Sequence, residues 1–157
     1  MFDSNETLET IFSSCGALAM LGWAGLVLLP KFPLVVDVAA RLVIPALIGV
    51  VYLVLMVGNA SQTPADGGFG SLAQVKALFS VEALLLGGWV HYLAFDLFVG
   101  AWEVRDAQRR GVHHLLVIPC LLATFMAGPA GLVLYLVLRS AVGVFQSKGT
   151  SAEVAHS

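Results

Sequence analysis

The sequence predicts an all-α integral membrane protein, a four-transmembrane-helix bundle with a short interfacial helix between helices 2 and 3. Two observations carry this. Hydrophobic residues make up 59% of the 157-residue chain and charged residues only 11%, against about a quarter charged in soluble domains. The apolar residues also gather into four runs, each near the roughly 20 residues that cross a hydrocarbon core.

The first run covers about 8–29 and stops at Pro30-Lys31-Phe32-Pro33, where two prolines disfavour further helix. The amino terminus carries Asp3, Glu6 and Glu9 and no Lys or Arg before this run, unlike the basic start of a secretory signal, so it is expected to remain as a span. The second run covers 38–58 with Pro45 near its start, the third 81–102 and the fourth 115–138. Residues 1–145 are thus expected to form one membrane domain, followed by a polar tail at 146–157.

Residues 61–80 begin with Pro, Gly and polar residues and continue with Leu72, Val75, Leu78 and Phe79 at helical spacing, the pattern of an interfacial helix. Gly67-Gly68-Phe69-Gly70 within it lacks the Lys-Ser or Lys-Thr of a phosphate loop.

Small residues let helices approach closely in lipid. Gly16, Gly22 and Gly25 on the first span and Gly87 and Gly88 on the third are expected at such contacts. Pro129 in the fourth span removes a backbone donor and leaves the Phe125 carbonyl free, so a kink and a polar notch are expected beside Gly128 and Gly131.

Of eight Lys and Arg residues, Lys31, Arg41, Arg105, Arg109 and Arg110 fall after spans one and three, and Lys76, Arg139 and Lys148 on the other side. Basic loops stay in the cytoplasm, so both termini are expected outside it. A net charge of −2 without a basic stripe argues against nucleic acid. Cys15 and Cys120, on different apolar spans, read as buried thiols.

An ionisable side chain inside a span is expensive, about 2.5–3.5 kcal/mol for Asp at a helix centre, and therefore a functional candidate. The third span carries Glu82, His91, Asp96 and Glu103 together with Tyr92. Glu82, Trp89, Asp96 and Glu103 recur every seven residues and share one stripe, with Tyr92 on the same side, and this stripe is expected to face the bundle interior. His91 lies about 140° from Asp96 on an ideal helix. Three readings follow: proton chemistry on an apolar substrate, a metal held by His91, Asp96, His113 and His114 from two helices, or side chains that only lock packing, with Asp96 accepting from Tyr92 or a neighbouring helix.

The run from Trp89 through His91-Tyr92-Leu93-Ala94-Phe95-Asp96 to Gly100-Ala101-Trp102 resembles the central signature of the plant neoxanthin synthase, or "abscisic acid deficient 4", family and its bacterial relatives. Phe69-Gly70-Ser71-Leu72 with Ala77-Leu78-Phe79, and Ala127-Gly128-Pro129-Ala130-Gly131-Leu132, resemble the same family. The acidic, Arg-poor start lacks a plastid-targeting character, so the chain reads as a bacterial member in the inner (cytoplasmic) membrane.

The resemblance implies a carotenoid or other polyprenoid substrate and an isomerisation that opens an epoxide to an allene and a tertiary alcohol. Such a step needs one acid and one base and no net electron transfer, so no cofactor is expected. His91 and Asp96 would be that acid and base, with Tyr92, Glu82 and Glu103 in support. The alternative is a non-enzymatic membrane protein that binds lipid or carotenoid or serves as a small assembly subunit, and an oligomer is compatible with either.

Overall fold

The structure, a computed structural model, describes the backbone of residues 4–154 and the side chains of residues 4–142. The polar tail expected at 146–157 lies outside the described side chains. The described residues form five helices, α1 (Asn5–Leu28), α2 (Leu34–Gly58), α3 (Leu72–Leu78), α4 (Glu82–Arg109) and α5 (His114–Val154), with a single 3-10 turn at Ala60–Gln62. By length and composition alone, α1, α2, α4 and the His114–Val142 part of α5 match the four hydrophobic runs, but α5 breaks at Ala127, so that each arm of that part is shorter than the roughly 20 residues a span needs.

The helix starts and stops follow from local chemistry. The Ser4 hydroxyl accepts from the Thr7 N–H at the start of α1, and Ser71 does the same for Gln74 at the start of α3, each supplying an orphan donor with a partner. Pro30 follows the end of α1. The first ten residues of α2, Leu34–Val43, are wound as a π-helix, and the Ile44 N–H reaches back five residues to the Ala39 carbonyl. The cause is Pro45, which has no N–H to offer and whose ring would press on the carbonyl four residues earlier; a wider turn relieves both problems. Around α3, the side chains of Phe69 and Leu72 are exposed while Leu78 is buried, the division expected of a helix at an interface.

Helix α4 is the central rod. Half of its most apolar stretch, 50%, is buried, against 28%, 22% and 28% for α1, α2 and α5. Gly22 and Gly100 let α1 approach it, since a Cβ on Gly100 would meet the Trp23 ring at 2.7 Å and one on Gly22 would meet Leu97 at 2.6 Å. Gly16, expected at a contact, has nothing within 4 Å.

The expected kink in α5 goes further than a bend. Ala127 leaves helical geometry (φ −156°, ψ 70°), and beyond it the chain doubles back. Thr124 before the break bonds Glu103 at 2.9 Å, yet Tyr135 after it bonds Asp106 at 2.8 Å and Arg139 pairs with the same Asp106 at 3.4 Å. A straight helix antiparallel to α4 would carry Arg139 about 22 Å beyond Thr124, toward the opposite end of α4. Trp102 confirms the reversal, packing edge-on to Tyr135 and lying beneath the Arg139 guanidinium. At the fold of the hairpin, Gly131 passes so close to the Thr124 backbone that a Cβ would overlap it.

This reversal corrects the expected topology. Arg139 stands at the end of the bundle where α4 finishes, opposite the end where α1 begins, so Asn5 and Arg139 do not share a side. Six of the eight basic residues, Lys31, Arg41, Arg105, Arg109, Arg110 and Arg139, then gather at one end. The same end is tied by the Arg105–Asp37 ion pair, by Gln108 donating to the Pro30 carbonyl at 2.5 Å, and by His114 against the Val27 carbonyl at 3.1 Å.

Replacing Gly131 with Ala is expected to lower stability by about 1–3 kcal/mol or more, the range for overpacking a tight contact. Gly16→Ala, in open space, should cost nothing, because Ala is the better helix former. Thermal unfolding of the two variants in detergent checks this; equal stability would contradict the close passage at Gly131.

Candidate functional site

The α4 stripe divides where α5 turns. Asp96 and Glu103 are buried, with relative exposures of 9% and 0%, and Tyr92 is half-buried, but Trp89 and Glu82 are exposed. The expectation that the whole stripe faces inward therefore holds only for its lower part. The reason is the hairpin: Gly128, at its tip, lies against the Asp96 carboxylate, and no described α5 side chain lines the groove beside Trp89 and Glu82. Those two instead line a shallow groove of about 370 Å³ with Asn5, Glu9 and Phe12 of α1, where Trp89 stacks on Phe12.

Inside the bundle the broken helix meets the acidic residues of α4 one by one. Pro129 cannot donate to the Phe125 carbonyl, and the Tyr92 hydroxyl donates to it instead at 3.2 Å. The Tyr92 hydroxyl and the Gly128 peptide N–H both lie within interaction range of the Asp96 carboxylate. Thr124 donates to Glu103 Oε1 at 2.9 Å. Asp106, lower on α4, accepts from Tyr135 and from Arg110, each at 2.8 Å. Among the described residues, Asp96 Oδ2 and Glu103 Oε2 are buried without a hydrogen-bond partner, an uncommon state for carboxylate oxygens.

His91 lies on the other face of α4. It lines a groove of about 540 Å³ between α2 and α4 with Arg41, Pro45, Tyr52, Phe95 and Phe98. Its ring lies 4.5 Å from that of Phe95 and 5.5 Å from that of Tyr52, centre to centre. The walls are otherwise aliphatic or aromatic, and Arg41 closes one end with its guanidinium over the Phe98 ring. From Arg41 to Tyr52 the groove runs about 16 Å along α2. It is a long apolar slot with three polar side chains, the kind of site that holds an apolar ligand and orients it at a few points.

The structure does not bring the four metal candidates together. His91 faces α2, Asp96 faces α5, His113 accepts from the Leu115 N–H, and His114 docks on α1. Among the described residues no three His, Cys, Asp or Glu side chains gather as a metal site, so the two-helix metal reading is set aside. Cys15 and Cys120 are buried free thiols. Sequence reading missed Arg41 and Tyr52 as groove residues because they sit on α2, and missed Thr124 and Tyr135 because only the hairpin brings them to α4. A polar residue amid an apolar run was the available signal for all four.

Among comparisons with known proteins, a family model described as ABA DEFICIENT 4-like matches residues 10–135. No curated protein and no solved structure matches the chain.

Thr124→Val should leave the Glu103 carboxyl without its hydroxyl donor and lower stability by about 1–3 kcal/mol, whereas Thr124→Ser should stay close to the parent. Equal melting temperatures for Thr124→Val and the parent protein would contradict the contact.

Proposed function

This chain belongs to the ABA DEFICIENT 4-like family, and on that premise we propose that it is a membrane-embedded enzyme that isomerises a carotenoid or other polyprenoid by general acid/base chemistry. The observation that carries the reading is the α2/α4 groove, an elongated apolar slot with His91 and Tyr52 side by side on its wall. A polyene needs such a slot, and epoxide opening needs two protonic groups beside it. One protonates the epoxide oxygen as its C–O bond breaks, and the other takes the proton from the adjoining polyene carbon. An allene and a tertiary alcohol result, and the protein's protons balance. His91 and Tyr52 fill these two roles, while Asp96, Tyr92 and Glu103 lie on the far face of α4, outside the groove, and Glu82 lies at its outer end.

The proposed location is a bacterial cytoplasmic membrane with the basic end of the bundle in the cytoplasm, since Lys and Arg are retained on that side. The start of α1 is then outside. Membrane lipid surrounds the helices, and the exposed α1/α4 groove leaves room for an oligomer.

A second reading, a protein that binds lipid or carotenoid without turnover, is favoured by one observation: His91 and Asp96 do not share a cavity. The two readings separate on expression in a host that makes an epoxycarotenoid, with pigments resolved by chromatography. The enzyme reading expects an allenic product from the parent protein and a loss of about 100-fold or more for His91→Ala, the scale of a removed acid or base. Undiminished conversion by His91→Ala would remove His91 from the mechanism. A parent protein that copurifies with polyene but converts none would establish the binder.

A further inference from the structure

The groove chemistry leaves unused the two most deeply buried acids among the described residues. Asp96 and Glu103 are each at least nine-tenths buried, and each keeps one carboxyl oxygen without a partner among the described residues. They share the inner stripe of α4, about 10.5 Å apart along its axis, and the α5 hairpin covers both.

We propose that Asp96 and Glu103, closed over by the broken helix α5, form an exchangeable proton-binding site inside the bundle. Two ionised carboxylates in this setting would each lack compensation. Among the described residues no Lys, Arg or His is bonded to either, and Arg110 and Arg139 are engaged by Asp106 at the end of the bundle. A proton is the smallest ligand that removes the charge. A bound metal ion suits the site less well, because a hard cation of the calcium type gathers six or more oxygens at about 2.3–2.6 Å, and here the oxygens are strung along two turns of helix.

The groups that face the pair are few. From α4 there is Tyr92, and from α5 Cys120 and Thr124; further along α4, Asp106 is met by Tyr135, Arg110 and Arg139. From α1 the neighbouring residue at the hairpin is Trp23, edge-on to Phe125, which does not titrate. Helix α2 packs on the opposite face of α4, with His91, Tyr52 and Arg41 toward the groove. Asp106 joins the series to the basic end, so Asp106, Glu103, Asp96 and Tyr92 mark a route by which a proton enters from that end and stops at the hairpin tip. Discontinuous helices that place freed backbone groups beside buried acids are a recurrent way to build such sites. The inference does not depend on what occupies the α2/α4 groove.

A carbodiimide such as dicyclohexylcarbodiimide reacts with protonated carboxyls in apolar surroundings, and peptide mapping of the full-length protein in detergent locates the adduct. Labelling is expected on Asp96 or Glu103, rising as pH falls and equal in sodium and choline chloride. Asp96→Asn should move the label to Glu103, and the double variant with Glu103→Gln should lose it. The pH series on the unmutated protein needs no variant to fold, and helix content by circular dichroism qualifies the variants. Absence of label on both residues across the pH series would overturn the proposal, as would protection by sodium, which would make the site one for a metal cation.

Discussion

The missing N–H of Pro129 sets the course of α5 and, through it, what the bundle buries. It frees the Phe125 carbonyl, which takes the Tyr92 hydroxyl as its donor, and one residue, Ala127, absorbs the change of direction. Gly128 and Gly131 permit the passage because a side chain at either position would collide with Asp96 or Thr124. From this follow the burial of Asp96 and Glu103, the contact of Tyr135 with Asp106, and the exposure of Glu82 and Trp89. The sidedness of the basic residues follows too, since the reversal brings Arg139 to join the others.

Helix α4 emerges as a partition between two chemical environments. Its α5 face carries acids and hydroxyls and is buried at Asp96 and Glu103, whereas its α2 face is an open apolar groove with His91, Tyr52 and Arg41. The angular separation of about 140° between His91 and Asp96 is therefore a division of labour imposed by helix geometry: a side chain that addresses a ligand in the groove cannot also face the hairpin. The wide turns of Leu34–Val43 belong to the groove side, where Pro45 forces them and Arg41 sits among them.

Much of this was legible in the sequence. Long apolar runs gave the spans, because burial of backbone polar groups in a bilayer leaves few alternatives to helices, and Pro30, Pro33 and Pro45 marked ends and irregularities. Leu72, Val75 and Leu78 gave α3 through their spacing. Pro129 gave the break and the free Phe125 carbonyl. The reversal was not legible, because hydropathy registers how apolar a segment is and is blind to its direction after a break; 115–138 reads the same straight or folded. The stripe of Glu82, Asp96 and Glu103 was correctly placed on one face by periodicity, but whether a face is covered depends on the neighbour, and that neighbour stops at Gly128. Tyr52 and Arg41 join the candidate site only through the packing of α2 on α4.

Whether α5 doubles back shows as a distance measured in the membrane. Nitroxide labels at Arg109 and Ala141, in protein reconstituted into liposomes, report the separation by pulsed electron resonance. A distance well short of the hydrocarbon thickness of about 30 Å is expected, because both positions lie at the basic end of the bundle. A distance of about 30 Å or more would mean that α5 runs straight across, and would contradict the hairpin and the enclosure of Asp96 and Glu103 that it explains.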